Sequence, residues 1–385
     1  MKSESDFWIP AQSRPPPHNY TPGLIHLLKM ALKYSHTHGD IRQAVLCYEE
    51  AVLVNVEPFD RSWGCGYRNF LMACSALMTQ QIQPSYSDLL GEPISPGVRN
   101  LQEWIEAAWR EGYDAAGAND FKDGLSGTKA WIGTAELYTA FTFRGVPSKL
   151  VDFKFEDGHT AQGLEDMKKW IKDYFTSSAE TADSTDGILR SSSPVKSTNK
   201  MPLILQHRGH SRTIVGYMET KKNETFLLQF NPSDSLPSKV RKTALDWRDS
   251  SLGWEPFKKP GPRLENFFTQ AMKRKTPVSS LPPRIKRIRP SSGPIDDVII
   301  LDPSEDDGTL DEDEDEDIDI CENRKTKNGK SKEGNGGLDY EDFVNFFRLK
   351  TLRHKEFQIL SFPMDDPWTP EERKSHKVVT SVRSG

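Results

Sequence analysis

A cysteine stands between two glycines in the stretch Asp60-Arg61-Ser62-Trp63-Gly64-Cys65-Gly66-Tyr67-Arg68-Asn69. The apolar residues that follow it recur at helical spacing, so we expect a helix that begins at the cysteine. The glycines leave the sulfur of Cys65 open to the backbone of a substrate. The exposed amide groups at a helix N-terminus also favour the thiolate form of a cysteine placed there. The stretch therefore predicts a reactive thiol at the start of a helix.

One histidine is placed to act together with this cysteine. His210 follows Gly209 and leads into a predicted strand over 212–218. A strand holds a ring in a fixed direction, which suits a histidine that takes a proton from a thiol and gives one to a leaving amine. His207 lies in the same turn, and one of the two histidines can be structural. Cys65 and His210 together indicate a thiol protease.

Hairpin geometry leaves two candidates for the residue that orients His210. A turn centred near residues 220 and 221 puts Asn231 opposite His210, and opposed residues approach to about 4.5–5.5 Å. A turn centred on Lys222 makes Asp234 the neighbour instead. Asparagine suffices for cysteine chemistry, because the thiolate itself pairs with the imidazolium.

A glutamine close to the histidine is a candidate oxyanion donor. Gln206 lies four residues before His210, at the end of a predicted strand over 202–205. Its amide can donate hydrogen bonds to the oxygen that becomes charged during acyl transfer. The alternative is an ordinary solvated glutamine at a strand end.

Composition limits the class of protein. The chain has 385 residues, a formal net charge of −5 and four cysteines without regular spacing, which indicates a reducing compartment, either cytosol or nucleus. No apolar run is long enough to cross a bilayer, and residues 1–6 lack the features of a signal peptide, so no membrane association is expected. The apolar share of 35% is low for a compact protein, which predicts disordered segments.

The pattern along the chain predicts one mixed α/β (α+β) domain with a long insertion. Residues 1–20 are predicted to be a flexible N-terminus. Residues 21–259 and 338–381 are predicted to form the domain, with a disordered loop at 176–200. Residues 260–337 are rich in Pro, Ser, Lys and Arg and then in Asp and Glu, so they cannot supply a packed core and are predicted to be a disordered insertion.

Secondary structure is predicted to change from helices to strands along the domain. Apolar stripes predict helices near 24–32 and 44–52, ahead of the helix that begins at Cys65. Short β-branched runs predict strands after residue 200, including one over 225–230.

Four motifs resemble the ZUFSP-type cysteine peptidases, the deubiquitinating branch of the superfamily that also contains the proteases specific for the ubiquitin-fold modifier. The resemblance implies a papain-like fold, with helices packed on a mainly antiparallel sheet. It also implies Cys65 as nucleophile, His210 as base and Gln206 in the oxyanion hole. The motifs are Trp63-Gly64-Cys65-Gly66-Tyr67-Arg68-Asn69, Gly127-Thr128-Lys129-Ala130-Trp131-Ile132-Gly133, Leu205-Gln206-His207-Arg208-Gly209-His210-Ser211-Arg212-Thr213 and His354-Lys355-Glu356-Phe357-Gln358-Ile359-Leu360.

One position departs from the family pattern. The family has Asp within Leu-Asp-Pro after the second strand, whereas this chain has Phe230-Asn231-Pro232. An Ile300-Leu301-Asp302-Pro303 occurs later, but it lies inside the predicted insertion and far from His210 in the chain. We therefore reject Asp302 and expect Cys-His-Asn catalysis.

The resemblance implies ubiquitin or polyubiquitin chains as the substrate. Ubiquitin ends in Arg-Leu-Arg-Gly-Gly, so the site needs a narrow slot for the glycines and acids for the arginines. Trp63, Gly64 and Gly66 are candidates for the slot. The family's ubiquitin-binding acids correspond to Asp114 and Glu136, which by sequence alone would be ordinary solvated carboxylates.

The predicted function is thus a thiol-dependent deubiquitinase that cleaves the isopeptide bond after the C-terminal Gly-Gly of ubiquitin. A protease for another ubiquitin-like modifier and, because of Asn231, an inactive ubiquitin-binding scaffold are the alternatives. The animal members carry zinc fingers ahead of the protease domain, and this sequence has no Cys/His pairs for them. Neither a metal ion nor another cofactor is expected.

The predicted insertion carries two short motifs. Basic clusters at 273–275 and 284–289 are typical of a nuclear import signal, with a solvated charge run as the alternative, so we expect a protein of nucleus and cytoplasm. The Asp/Glu block that follows would repel phosphate, which argues against direct nucleic-acid binding. A strand-like segment next to acids is typical of a SUMO-interacting motif, which adds a strand to the modifier's sheet; its residues are Val298, Ile299, Ile300 and Leu301.

Overall fold

The computed structural model describes residues 6–122, 124–156, 159–177, 193–248, 256–257, 337–350 and 352–383. These residues form a mixed α/β fold in which helices pack around one large sheet. The predicted fold class is therefore confirmed. The basic clusters and the segment from Val298 to Leu301 lie outside the described residues.

In the described part of the chain the large sheet has eight strands and is mainly antiparallel, as predicted. Its order is β10-β4-β9-β6-β7-β2-β5, with β8 paired to β7, and parallel pairs occur only toward its edges, between β10 and β4 and between β2 and β5. The strands are β2 (Ile41–Leu46), β4 (Lys149–Lys154), β5 (Val195–Ser197), β6 (Leu203–His207), β7 (His210–Thr220), β8 (Thr225–Phe230), β9 (Glu356–Ser361) and β10 (Ser381–Arg383), while β1 (Tyr20–Thr21) pairs with β3 (Leu53–Val54) in a separate small sheet.

Helices pack against the large sheet and supply the outer layers. The predicted helices near residue 24 and at Cys65 are confirmed as α1 and α2. In chain order the helices are α1 (Leu24–Thr37), α2 (Cys65–Thr79), α3 (Tyr86–Gly91), α4 (Val98–Arg110), α5 (Ala115–Asp120), α6 (Thr134–Phe143), α7 (Thr160–Thr176), α8 (Ser238–Arg248), α9 (Tyr340–Phe347) and α10 (Pro370–Ser375).

Burial explains why the sequences of helix α2 and strand β7 are largely apolar. Every residue of α2 from Cys65 to Leu77 is buried, and a helix that is covered on all sides needs no polar face. Strand β7 pairs with β6 and then β2 along one edge and with β8 along the other, so both of its edges are occupied. Helix α2 packs directly against β7.

The predicted helix near 44–52 is wrong, because Ile41–Leu46 forms strand β2. The run Ala44-Val45-Leu46 is buried between β7 and β5, so it pairs with a strand on each side. A short apolar run fits a buried strand as well as a buried helix, and here the neighbouring strands decide.

Two segments that were predicted to lack structure contain ordered parts. The side chain of Trp8 is fully buried, and its ring meets that of Tyr20 at a centroid distance of 6.3 Å, which differs from a flexible N-terminus over residues 1–20. The predicted loose loop at 176–200 contains β5 near its end, while residues 178–192 lie outside the described part.

Residues on both sides of the predicted insertion contribute to the same sheet. Strand β9, which follows it, lies between β4 and β6, which precede it. The backbone N–H of Leu338 donates to the carbonyl oxygen of Pro256 at 2.9 Å, so the two flanks meet. Among the described helices, none is long and apolar enough to span a bilayer.

Candidate active site

Cys65 is the first residue of α2 and is held there by a buried ion-pair cluster. The backbone N–H groups of Trp63 and Gly64 donate to the carbonyl oxygen of Asp60 at 3.1 and 2.6 Å, which folds the chain into the helix. The Asp60 carboxylate accepts from Arg68 at 2.6 Å, and both side chains are buried. Since Arg68 lies in the first turn of α2, this pair fixes the approach of the chain to Cys65.

Both glycines beside Cys65 are required by close packing. A Cβ atom on Gly64 would collide with the carboxylate of Asp60, and one on Gly66 would collide with the carbonyl oxygen of Ile132. The first turn of α2 therefore touches the loop that leads into α6. The thiol of Cys65 is free of any disulfide, and the residue keeps an exposed fraction of 6%.

Trp63, which was predicted to line a slot for glycine residues, is buried. It is 2% exposed, its Nε1–H donates to the carbonyl oxygen of Phe59 at 3.1 Å, and its ring meets Tyr67 edge-on. Gly64 and Gly66 are buried as well, and all three residues remain the candidates for that role.

His210 is hydrogen-bonded to Asn231. The distance from His210 Nε2 to Asn231 Oδ1 is 3.0 Å. Asn231 Oδ1 also accepts from the N–H of Ser233 at 3.1 Å, and Asn231 Nδ2 donates to Asp234 Oδ1 at 3.0 Å. These contacts assign the amide oxygen to the histidine side. Nε2 then carries the proton, and Nδ1 is the ring nitrogen that can accept one.

The hairpin register that predicted this contact is wrong. Glu219 pairs with Thr225, so the turn is centred on Lys222, and a bulge between Ile214 and Gly216 shifts the pairing by one residue. Asn231 nevertheless reaches His210, because it lies just beyond β8 and turns its side chain toward the start of β7. Asp234 is the partner of Asn231, so both predicted candidates belong to one chain of contacts.

Helix α2 and strand β7 are joined by hydrogen bonds next to the cysteine and the histidine. Asn69 Nδ2 donates to Ser211 Oγ at 2.9 Å, and Thr213 Oγ1 donates to Asn69 Oδ1 at 2.8 Å. Cys65 lies one helical turn before Asn69 on the same face, and His210 precedes Ser211. The geometry therefore brings Cys65 and His210 to the same end of the helix–strand pair.

Gln206 lies over the N-terminus of α6. Its Oε1 accepts from the backbone N–H and the hydroxyl of Thr134, the latter at 2.7 Å. Its amide lies so close to Gly133 that a Cβ atom there would collide with it. Because Ile132 contacts Gly66, the loop before α6 touches both the first turn of α2 and Gln206.

The two acids that were predicted to bind arginine are not ordinary solvated carboxylates. Asp114 is 7% exposed; its Oδ1 accepts from the N–H of Gly117 at 3.1 Å, and its Oδ2 is buried without a hydrogen-bond partner. Glu136 Oε2 accepts from the N–H of Gly133 at 2.6 Å. Desolvation by burial raises the pKa of Glu136, and the charges of Asp114 and Asp120 raise it further. The acids thus form a partly desolvated group with an excess of negative charge.

Several polar residues of the site carried no assigned role in the sequence. Thr134, Gln358 and Asp152 form hydrogen bonds that end at Gln206, and Asn69 joins α2 to β7. Gln358 and Asn69 lie within the motifs that carry the family resemblance, and their place in these motifs could have marked them as functional. Within the described ranges, no group of three or more His, Cys, Asp or Glu residues is arranged to hold a metal ion.

Comparison with known proteins identifies the family. A model described as "Peptidase family C78" matches residues 42–270. "Zinc finger-containing ubiquitin peptidase 1" of Rattus norvegicus is 40% identical over 173 residues, 45% of this chain and 28% of that protein. "Ubiquitin carboxyl-terminal hydrolase mug105" of Schizosaccharomyces pombe is 33% identical over 162 residues, 42% of this chain and 57% of that protein.

A solved structure, UfSP from C. elegans, aligns with a TM-score of 0.33 and 13% identity over 61% of this chain and 34% of that chain. The aligned part of this chain spans about a quarter to three fifths of each relative's own length. The family model, in contrast, covers more than half of this chain. The chain therefore belongs to peptidase family C78.

Proposed function

We propose that this chain is a cysteine peptidase that hydrolyses the isopeptide bond after the C-terminal Gly-Gly of ubiquitin, with Cys65 as nucleophile and His210 as base. The hydrogen bond between His210 Nε2 and Asn231 Oδ1 carries this proposal, because it leaves Nδ1 as the proton acceptor at the end of β7 that α2 approaches. Membership in peptidase family C78 supports it, as do the names of two relatives, a ubiquitin peptidase and a ubiquitin carboxyl-terminal hydrolase.

The chemistry follows from these placements. His210 Nδ1 takes the proton of the Cys65 thiol, and the thiolate attacks the carbonyl carbon of the last glycine. The oxygen that becomes negative is stabilised by the Nε2 donors of Gln206 and by N–H groups of the first turn of α2, which lack intrahelical partners. The imidazolium then protonates the leaving lysine amine, and water hydrolyses the thioester. Asn231 keeps the ring in the required tautomer.

The acids at Asp114 and Glu136 give the proposal its substrate class. An arginine that precedes the Gly-Gly tail would supply a donor for the unpartnered Asp114 Oδ2. It would also relieve the repulsion from Asp114 and Asp120, which adds to desolvation in raising the pKa of Glu136. Arginine suits such a site because its planar donors match carboxylates. A ubiquitin-like modifier without this arginine would bind less well.

A ubiquitin molecule that carries an electrophile at its C-terminus tests the proposal. We expect covalent labelling of the wild-type chain and of Cys74→Ala, since Cys74 lies on the same helix but is fully buried and its pKa is raised by burial. Cys65→Ala should be unlabelled, still folded and still able to bind ubiquitin. Labelling of Cys65→Ala at the wild-type rate would end the thiol-protease interpretation.

The alternatives give different results in the same assay. A protease for another modifier would react with that modifier's electrophile and not with ubiquitin. An inactive scaffold would bind ubiquitin in a pull-down without reacting at all. Each of these outcomes contradicts the proposed function.

A further inference from the structure

A row of polar side chains crosses the sheet beneath the proposed oxyanion site. Asp152 on β4 pairs with Gln358 on β9, Gln358 pairs with Gln206 on β6, and Gln206 pairs with Ser211 on β7. Directly paired residues project from the same face of a sheet. The row therefore connects the edge of the sheet to the residue next to His210.

Hydrogen bonds along this row determine how Gln358 is oriented. Gln358 Nε2 donates to Asp152 Oδ1 at 2.6 Å. The Gln358 Oε1 is left facing Thr134, whose hydroxyl contacts it and also lies 2.7 Å from Gln206 Oε1. Thr134 is thus held between two amide oxygens.

We propose that Gln358 and Asp152 are positioning residues for Gln206, an inference that rests on the proposed function. They act through Thr134: its backbone N–H donates to Gln206 Oε1, and its single hydroxyl proton is shared between Gln206 Oε1 and Gln358 Oε1, so Gln358 fixes where that hydroxyl lies. With its oxygen occupied, Gln206 has its Nε2 donors left for the substrate oxygen. An amide released from Thr134 can turn over and present Oε1, which repels an oxyanion instead of stabilising it.

The expected effect is on turnover and not on substrate binding. Removal of one oxyanion donor lowers kcat by about 100–1,000-fold. Loss of the residue that orients such a donor should cost less, so we expect Gln358→Met to lower kcat by ~10-fold while KM changes by less than ~2-fold. Alkylation of Cys65 by iodoacetamide forms no oxyanion, so its rate and pH profile should stay at the wild-type values.

A double-mutant cycle on a fluorogenic amide of ubiquitin tests the proposal. Gln358→Met should lose its effect when Gln206→Ala is already present, because its only route to the reaction is then gone. Gln162→Met is the matched control, since Gln162 is an exposed glutamine bonded to the carboxylate of Asp166 at 3.0 Å. It should leave kcat unchanged.

A second pair of variants keeps the test decisive if Gln358→Met does not fold. Asp152→Asn retains an acceptor oxygen for Gln358 and should keep most of kcat, whereas Asp152→Leu should lose about as much as Gln358→Met. This inference alone would be overturned if the wild-type chain is active but Gln358→Met and Asp152→Leu leave kcat unchanged. The same holds if both variants lower kcat as much in the Gln206→Ala background as in the wild type. A wild-type chain inert toward ubiquitin would overturn the proposed function and this inference with it.

Discussion

At the residue scale, the side chain of Asn231 joins His210 to Asp234. Its oxygen accepts from His210 and its nitrogen donates to Asp234, both at 3.0 Å. We expect Asn231→Ala to lower kcat by roughly 10–1,000-fold, because the ring loses the group that fixes its tautomer. Asp234→Ala should cost less, since Ser233 still holds the amide oxygen. Steady-state kinetics on a ubiquitin amide measure both, and a larger loss in Asp234→Ala would show that the acid orients His210 itself.

The neighbouring acid also changes what Asn231→Asp should do. Two carboxylates at hydrogen-bond distance cannot both ionise easily, so the pair would retain one proton and mimic the Asn231–Asp234 arrangement. A carboxylate still accepts from His210 Nε2, so we expect activity to be retained, whereas stability should fall as the pH rises and the shared proton leaves. Adding Asp234→Asn should remove this pH dependence. An Asn231→Asp variant with the wild-type pH profile of stability would contradict the argument.

The residues of this site were only partly predictable. Cys65 and His210 are recognisable from local context, because adjacent glycines and a strand start mark them. The contact of Asn231 was reached through a wrong register, since nothing local indicates the bulge between Ile214 and Gly216. Gln358 could not be assigned a role, because its partners Asp152 and Thr134 come from segments far apart in the sequence.

At the scale of elements, the start of α2 depends on Arg68. Its guanidinium donates to Asp60 at 2.6 Å and to Glu57 at 3.0 Å, and it is 1% exposed. Arg68→Met removes the arginine that neutralises two buried carboxylates, so we expect the free energy of unfolding to fall by about 3–5 kcal/mol. Arg42 also pairs with a carboxylate, that of Glu219, but the arginine side chain is 53% exposed. Arg42→Met should therefore lower the free energy of unfolding by less than about 1 kcal/mol. Urea denaturation measures both, and equal losses would contradict the assigned role.

For Glu136, in the first turn of α6, we expect stability and substrate binding to conflict. Since burial raises the pKa of Glu136 in the folded state, its ionisation destabilises the fold, and this loss grows as the pH rises through the raised value. Glu136→Gln keeps an acceptor for the N–H of Gly133 and removes the charge. We expect its Tm to exceed that of the wild type by ~1–2 °C at pH 7 but not at pH 4, while KM for a ubiquitin amide rises.

Glu106→Gln is the contrasting variant for this measurement. Desolvation tends to raise the pKa of Glu106, but N–H bonds from Ser126 and Leu125 outweigh it and lower the pKa. Its ionised form therefore stabilises the fold, an effect that is lost as the pH falls, so Glu106→Gln should lower the Tm at pH 7. If both variants shifted the Tm in the same direction, the assigned pKa directions would be wrong.

Helices and strands were predictable where their apolar pattern is long. They were not predictable where distant neighbouring strands determine the secondary structure. The apolar spacing of α2 extends over four turns, so its start and type follow from the sequence. Strand β2 has only six residues, and its neighbours β5 and β7 lie far along the chain. Those neighbours occupy both of its edges, which a local pattern cannot reveal. The same holds for Trp8, whose burial depends on contact with Tyr20.

At the scale of the whole molecule, the flanks of the predicted insertion meet without it. Phe257 and Leu338 form a parallel bridge, and the N–H of Leu338 donates to Pro256. Every proposed catalytic residue lies before Pro256, and Gln358 follows Leu338 in a strand of the central sheet. A deletion within this segment therefore leaves the two flanks where they already touch.

We expect deletion of residues 270–335 to leave kcat for a ubiquitin amide within ~2-fold of the wild type, because that stretch is too polar and charged to add to a core. SUMO binding and nuclear accumulation should be lost, since the deletion removes Val298 to Leu301 and both basic clusters. Replacing only those four apolar residues with alanine should abolish SUMO binding and keep nuclear accumulation, which separates the two roles. A deleted chain that is insoluble, or whose kcat falls more than about tenfold, would show that the segment belongs to the peptidase domain.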